Sequence, residues 1–365
     1  MCVYHSVISR LLVLLVFILI SLPGCRSSSP SHVKNSGHRV GYIDCHNHIF
    51  AGPSFGGRNI PNYPGAVRSA IRKMDELGID KMIVMPPPIS PENSGIFSLE
   101  DLVEAIQGHP GRFEYVAGGE SLNVMIHQSA DDRNIDGKIM EKFREKALDI
   151  LKKGAVGFGE FAVEHFSFNI DHPYESVRAD HPLFLMLADI AAEQGVPIDI
   201  HMEAVPKDMP LPERKILQRS KKNPDYLREN IKAFERLLSH NRRAKIIWSH
   251  VGWCNTGYRT PELCGGLLGR HKNLYMSFKL SRESVRDTRP LTRDKRQIKK
   301  EWLNLISAFP DRFIIGTDQF YSPPGTRQIG PQKTQDIRIF IDLLPPDLAF
   351  KIGIENPRRI FSLGS

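Results

Sequence analysis

The chain has 365 residues, 49 of them Lys or Arg against 41 Asp or Glu, for a formal charge of +8 and a sequence pI of about 9.2. This length is too great for one β-sandwich and ordinary for one (β/α)8 barrel. The basic excess suits a protein that works near anionic lipid or other polyanions, yet its two richest segments, 207–222 and 282–300, interleave no aromatics for base stacking, so nucleic acid is not expected as a partner.

At the N-terminus, Arg10 precedes the apolar run LLVLLVFILISL, which ends at PGC. The run is too short and too abruptly stopped to span a bilayer comfortably and reads as an export signal. The segment LPGC resembles the lipobox of bacterial lipoproteins, which implies lipidation of Cys25 and places the protein in the cell envelope, anchored to a membrane and outside the cytoplasm. Residues 26–38 are small and polar with no apolar period, a tether of at most about 45 Å when fully extended. The folded domain is expected over 39–365.

Within it, one grammar recurs: an amphipathic helix, a glycine, then a short apolar strand. AVRSAIRKMDEL sets Val67, Ile71, Met74 and Leu77 on one stripe before Gly78 and IDKMIVM. KFREKALDILKK leads through Gly154 into AVGFGE, and HPLFLMLADIAAEQ through Gly195 into VPIDIHM. Alternation of this kind implies parallel strands with right-handed crossovers, an α/β fold. Eight strands are legible in order: YIDCH, KMIVM, EYVAG, AVGFGE, PIDIHM, KIIWSH, LYMSF and FIIGTD. Their spacing of about 39 residues fits a TIM barrel, whereas a doubly wound sheet would want a glycine-rich phosphate turn after the first strand, and HNHIFAGPSFGG is not one.

Histidines and carboxylates gather at the ends of these strands: His46 and His48 on the first, Glu160 on the fourth, His201 on the fifth, His250 on the sixth and Asp318 on the eighth. Any one of the fourteen histidines would be unremarkable at a strand end; together with two carboxylates they form the donor set that suits zinc and similar divalent ions. Strand parity sets Tyr42, Asp44, His46 and His48 on one side, so the histidines are expected in the barrel mouth and Cys45 toward the helices, as a small packed hydrophobe. Gly157 and Gly159 suggest a strand crowded by a close neighbour. Glu164 competes with Glu160, whose other reading is a salt bridge. Cys45, Cys254 and Cys264 have no metal-knuckle spacing; Cys254 and Cys264 are either a disulfide or two separate thiols. Glu203, Trp253, Asn255, Lys279 and Gln319 lie near strand ends as pocket-shaping candidates, with packing roles equally open.

From DCHNH through GFGE, DIHME, WSHVGW and GTDQF to IENPRRIF, the domain resembles the amidohydrolase superfamily, in its amidohydrolase-related branch. The resemblance implies one or two divalent ions, zinc first among them. His46, His48 and Asp318 would hold one; His201 and His250 would hold a second, bridged by Glu160, since no lysine ends the fourth strand to take the bridging place it has in many relatives. His250 is alternatively an acid/base rather than a ligand. The implied chemistry is attack by an ion-generated hydroxide on an amide, ester, lactone or phosphoester of a small-molecule substrate, with Asp318 as general base and then acid. Its nearest rival is a single-ion decarboxylase of an aromatic or unsaturated acid. A TatD-like deoxyribonuclease fits the charge but not the export signal, and a silent binding protein fits poorly with a complete ligand set. The loops 205–230 and 281–300 are the expected pocket walls.

Overall fold

The computed structural model describes residues 40–51, 61–132, 134–170, 172–326 and 333–364. Cys25, the export signal and the tether lie outside the described residues. No helix among the described residues is long and apolar enough to cross a membrane.

The eight expected strands are all present. We label them β1 (Tyr42–Ile49), β2 (Ile79–Val84), β3 (Phe113–Tyr115, resuming at Ala117–Gly118), β4 (Phe158–His165), β5 (Pro197–Met202), β6 (Lys245–Val251), β7 (Leu274–Phe278) and β8 (Phe313–Ile315, resuming at Gln319–Tyr321). Each pairs in parallel with its sequence neighbours, and β8 returns to β1. The first half of β3 pairs with β2 and its second half with β4, so the sheet closes into a barrel.

The helices form where the apolar stripes predict them. Tyr63–Leu77 begins where the Asn62 side chain accepts from the Gly65 N–H, and stops at Gly78, whose φ of 67° lies in the left-handed region that glycine enters without strain. Pro182–Gln194 begins on a His181 cap and stops in the same way at Gly195, φ 71°. Val67, Ala70 and Met74 of the first helix are fully buried with Met82 and Val84 of β2 in one continuous core. Burying side chains of this size contributes roughly 1.5–3 kcal/mol each, which outweighs the modest intrinsic preference of a short helix.

A second, smaller core fills the barrel itself. Ile43, Ile83, Ile247 and Ile314 from four strands and Val116 from the break in β3 pack together, and Ile354, Ile360 and Phe361 of the C-terminal segment join them. Cys45 belongs to this interior group, which corrects the expectation that it faces the helices. Tyr42, expected on the histidines' side, packs in the helix layer, where the Arg338 guanidinium sits 5.3 Å over its ring. The reason is an irregularity: the β1–β2 register shifts between Asp44 and Asn47, so alternation does not run unbroken along the strand. Cys45 is nevertheless a buried packing residue as expected, and Cys254 and Cys264 are two separate buried thiols rather than a disulfide.

Candidate metal centre

The ends of β1, β4, β5, β6 and β8 bring the sequence-predicted donors together in one buried cluster. Glu160 lies at its centre, 3% exposed. Its Oε2 is 3.5 Å from His46 Nε2 and 3.4 Å from His48 Nε2, while its Oε1 is 2.8 Å from His201 Nδ1 and 3.0 Å from His250 Nε2. One carboxylate thus turns one oxygen to each pair of histidines. Glu164 stands apart, accepting from Tyr174 Oη at 2.8 Å and Ser176 Oγ at 3.0 Å. Strand β4 runs on past Glu160 to His165, so Glu160 sits inside the strand rather than at its end. The glycines before it do face a crowded neighbour: a Cβ on Gly159 would come 2.8 Å from Asp199 Cβ, and one on Gly157 2.9 Å from the Pro197 carbonyl.

Local backbone aims each donor. Asp318 has φ 53° and His250 φ 69°, both left-handed, a cost that surrounding bonds must offset. The Asp318 turn is held by Asp44, which accepts from the Thr317 N–H at 2.9 Å and hydroxyl at 2.7 Å, and by the Asp318 N–H, which donates to the His46 carbonyl at 2.8 Å. The His250 turn is held by the fully buried Arg259, whose guanidinium donates to the carbonyls of Ser249, His250 and Trp253 at 2.8–3.1 Å and also to Met202 at the end of β5. His48 Nδ1 lies 3.0 Å from the Met85 carbonyl, which directs Nε2 into the cluster.

Among the described residues, two sets of three groups bring their donor atoms within 4.8 Å of one another: His46, His48 and Asp318; and His46, Glu160 and His250. His201 touches Glu160 but belongs to neither set. His46 Nε2, His201 Nε2 and His250 Nδ1 are buried and make no hydrogen bond. Of these only His46 Nε2 faces Glu160; His201 and His250 turn their other ring nitrogens, Nδ1 and Nε2, to that carboxylate. Imidazole nitrogens converging on ionised carboxylates in a dry interior are the donor set that a divalent cation takes, so the residues fit such an ion.

Electrostatics divide the histidines: against burial, Asp199 and Glu160 raise His46, and Asp318 and Glu160 raise His48. Burial favours the neutral forms of His201 and His250, taking His201 down to about 3 and His250 well below the usual histidine value. Burial would raise Glu160 and Asp318; His46, together with His201 and His250, reverses this for Glu160, and Lys279 and Lys333 reverse it for Asp318, so both stay ionised well below the ordinary carboxylate range. Lys279 is itself brought down to about 8 by burial, against the pull of Asp318.

The weaker sequence candidates divide. Trp253 and Lys279 flank the cluster: the Lys279 ammonium lies 3.7 Å over the indole and is paired with Asp318 Oδ2, and the indole stands edge-on to His201 and His250 at 5.9 Å. Glu203 and Asn255 bond to each other, with the Asn255 amide donating at 2.6 Å, and hold two loops together. Gln319 accepts from the Lys333 N–H at 3.2 Å and so fixes the backbone of Lys333.

Two residues were missed by sequence reasoning. Asp199, 2% exposed, faces His46 Nδ1 at 3.2 Å, and its place two residues before His201 on β5 was the available signal. Lys333 reaches Asp318 Oδ2 at 3.2 Å and its carbonyl at 3.0 Å from after β8, and nothing in its local sequence marks it.

A closed parallel barrel whose mouth carries buried imidazoles and carboxylates defines a barrel enzyme with the donor set of a divalent metal site. The chain belongs to the amidohydrolase family, whose profile matches residues 43–363. No curated protein matches its sequence. Among solved structures it is similar to a probable 2-pyrone-4,6-dicarboxylic acid hydrolase from Acinetobacter baumannii with citric acid bound, at 16% identity and a TM-score of 0.50, covering 89% of this chain and 100% of that one. It is also similar to a mutant organophosphorus hydrolase from Deinococcus radiodurans, at 16% identity and a TM-score of 0.51, covering 88% of this chain and 93% of that one. Both likenesses concern the fold.

Proposed function

We propose that the chain is a metal-dependent hydrolase of a small molecule, cleaving an amide, ester, lactone or phosphoester bond. The observation that carries this reading is Glu160, which offers one oxygen to each histidine pair, the disposition expected of a carboxylate bridging two ions. Zinc is the first expectation, from the imidazole and carboxylate donors. A bound divalent ion would lower the pKa of water toward 7 and polarise the bond under attack.

The chain's own residues supply the rest. His46, His48 and Asp318 form one donor set; Glu160, His250 and, beside them, His201 form the other. Asp318, kept ionised by Lys279 and Lys333, takes the proton from the attacking water and passes it to the leaving group. His250, held neutral by burial, is the other group placed for proton transfer. Trp253 closes one side of the cluster against water.

The rival is a decarboxylase with one ion, which draws on the His46, His48 and Asp318 set being complete without Glu160. Metal analysis of the purified protein separates the two: two ions per chain, falling to one in Glu160→Gln, support the hydrolase, and one ion unaffected by Glu160→Gln supports the rival. A screen of lactones, esters, amides, phosphoesters and aromatic acids, with Asp318→Asn as the inactive control, then identifies the bond. An envelope location, with Cys25 as the lipid-bearing residue, rests on the sequence alone. Mass spectrometry of the membrane fraction tests it, and a mature chain still carrying Met1 would end it.

A further inference from the structure

The segment after β7 carries charges of both signs, and its fold sorts them. Arg282, Arg286, Arg289, Arg293, Lys295 and Lys299 line one cavity of about 710 Å³, with Asp336 the only acid in its wall among the described residues. Glu283, Asp287 and Asp294, from the same segment, are not part of the lining. Lys295 is paired with Asp336. Among the described residues, no carboxylate lies within ion-pair distance of the other five cations. Two of them are nonetheless fixed. Arg289 donates to the carbonyls of Ser284, at 2.9 Å, and Arg282, while Lys299 donates to the carbonyl of Arg286 at 3.1 Å.

Gathering like charges in a concave wall is unfavourable until a counter-ion enters, and the field focused there raises the local concentration of anions. Burial and the neighbouring Arg214 and Arg286 hold Arg289 below its ordinary value, a mark of that crowding. Arginine forks match phosphoryl oxygens in geometry as well as charge. The cavity also reaches Gly252 and Leu280, the chain neighbours of Trp253 and Lys279, and none of the cluster's donors is in its lining.

We propose that this cavity is a binding site for a phosphoryl-bearing anion, separate from the metal donors. The ligand is either a soluble phosphate ester or the headgroup of an anionic phospholipid, and the two sources share the chemistry that the arginines recognise.

The test uses the full-length, metal-loaded protein and the double variant Arg286→Ala, Arg293→Ala, both sites being exposed and outside the donor set. Calorimetric titration with inorganic phosphate forms one arm, and sedimentation with phosphatidylglycerol vesicles, against phosphatidylcholine vesicles, forms the other. Loss of two charge-assisted contacts should weaken binding by about tenfold or more in at least one arm, with metal content and melting temperature unchanged. A deficit in the phosphate arm alone identifies a soluble ester, and one in the vesicle arm, a lipid headgroup. If the double variant binds phosphate and both kinds of vesicle as the parent does, or the parent binds neither phosphate nor anionic vesicles, the proposal is wrong.

Discussion

Asp199 on β5 meets His46 on β1 across the barrel mouth, its carboxylate oxygens 3.2 and 3.3 Å from the imidazole Nδ1. A carboxylate there accepts a hydrogen bond from Nδ1–H and so leaves Nε2, facing Glu160, free to act as a metal ligand. Asp199 is thereby a positioning residue. Replacing it with Asn should preserve the volume yet weaken the hold on the His46 tautomer, lowering metal affinity by about 10- to 100-fold. Competition against a chelator of known affinity measures this; an unchanged affinity would show that His46 is oriented by packing alone.

Arg259 ties together the two strand ends that carry His201 and His250, because one guanidinium serves carbonyls on both and lies 4.9 Å over the Trp248 ring. Arg259→Met would fill the space but strip several buried carbonyls of a donor. The expected cost is about 3 kcal/mol in urea unfolding and, on the two-ion reading proposed above, a larger loss of the ion on the His201 and His250 side than of the other. Arg259→Lys reaches fewer carbonyls and should fall between. Equal loss of both ions would mean that the guanidinium supports the fold as a whole rather than this turn.

The barrel and most of its donors were legible because helix stripes, stopping glycines and apolar strands each obey a short-range period. Gly78 and Gly195 end their helices where the sequence suggests. What escaped was the finer aim of the side chains. The sheet registers shift between Asp44 and Asn47, between Phe158 and Phe161, and between Trp248 and Val251, the stretches that hold His46, Glu160 and His250. Bulges re-aim side chains at the cost of alternation, so strand parity failed for Cys45 at the very place where the site needed it broken. Lys333 was illegible for a different reason: its partner Asp318 lies 15 residues earlier in the chain, and no short-range period links the two. The segment 281–300, expected from sequence as a pocket wall, lines a cavity.

Glu164 predicts a pH dependence of stability. Burial raises its carboxyl to about 7, against hydrogen bonds from Tyr174 and Ser176 that pull it down. A folded value above the unfolded one means that the native state binds the extra proton. The stabilising contribution is therefore full below about pH 4.5 and is lost as pH rises through about 7. The change is at most about 3 kcal/mol across that window. Glu164→Gln should remove this contribution, read as the difference between parent and variant in denaturant unfolding from pH 4.5 to 8; the slopes of the other buried groups, of the same sign for Asp44, which burial raises to about 6, and of the opposite sign for His201, which burial lowers to about 3, are common to both proteins and cancel. A variant with the parental slope would place the dependence elsewhere.

Gly316 separates β8 from His46 by too little space for any other residue. A Cβ there would come 2.8 Å from His46 Cβ and 3.0 Å from Ser277 Cβ, neither of which is the free end of a flexible side chain. Gly316→Ala should force β1 and β8 apart, cost about 1–3 kcal/mol and tilt His46 away from Glu160. Thermal unfolding reports the first effect and bound metal the second. Gly269 is the control, since it lies in the helix Pro261–Arg270 with nothing within 4 Å of an added Cβ. Gly269→Ala should raise stability by about 0.5–1 kcal/mol with metal content unchanged. If Gly316→Ala loses stability but keeps its full complement of metal, the close approach serves packing alone, and the orientation of His46 rests on Asp199.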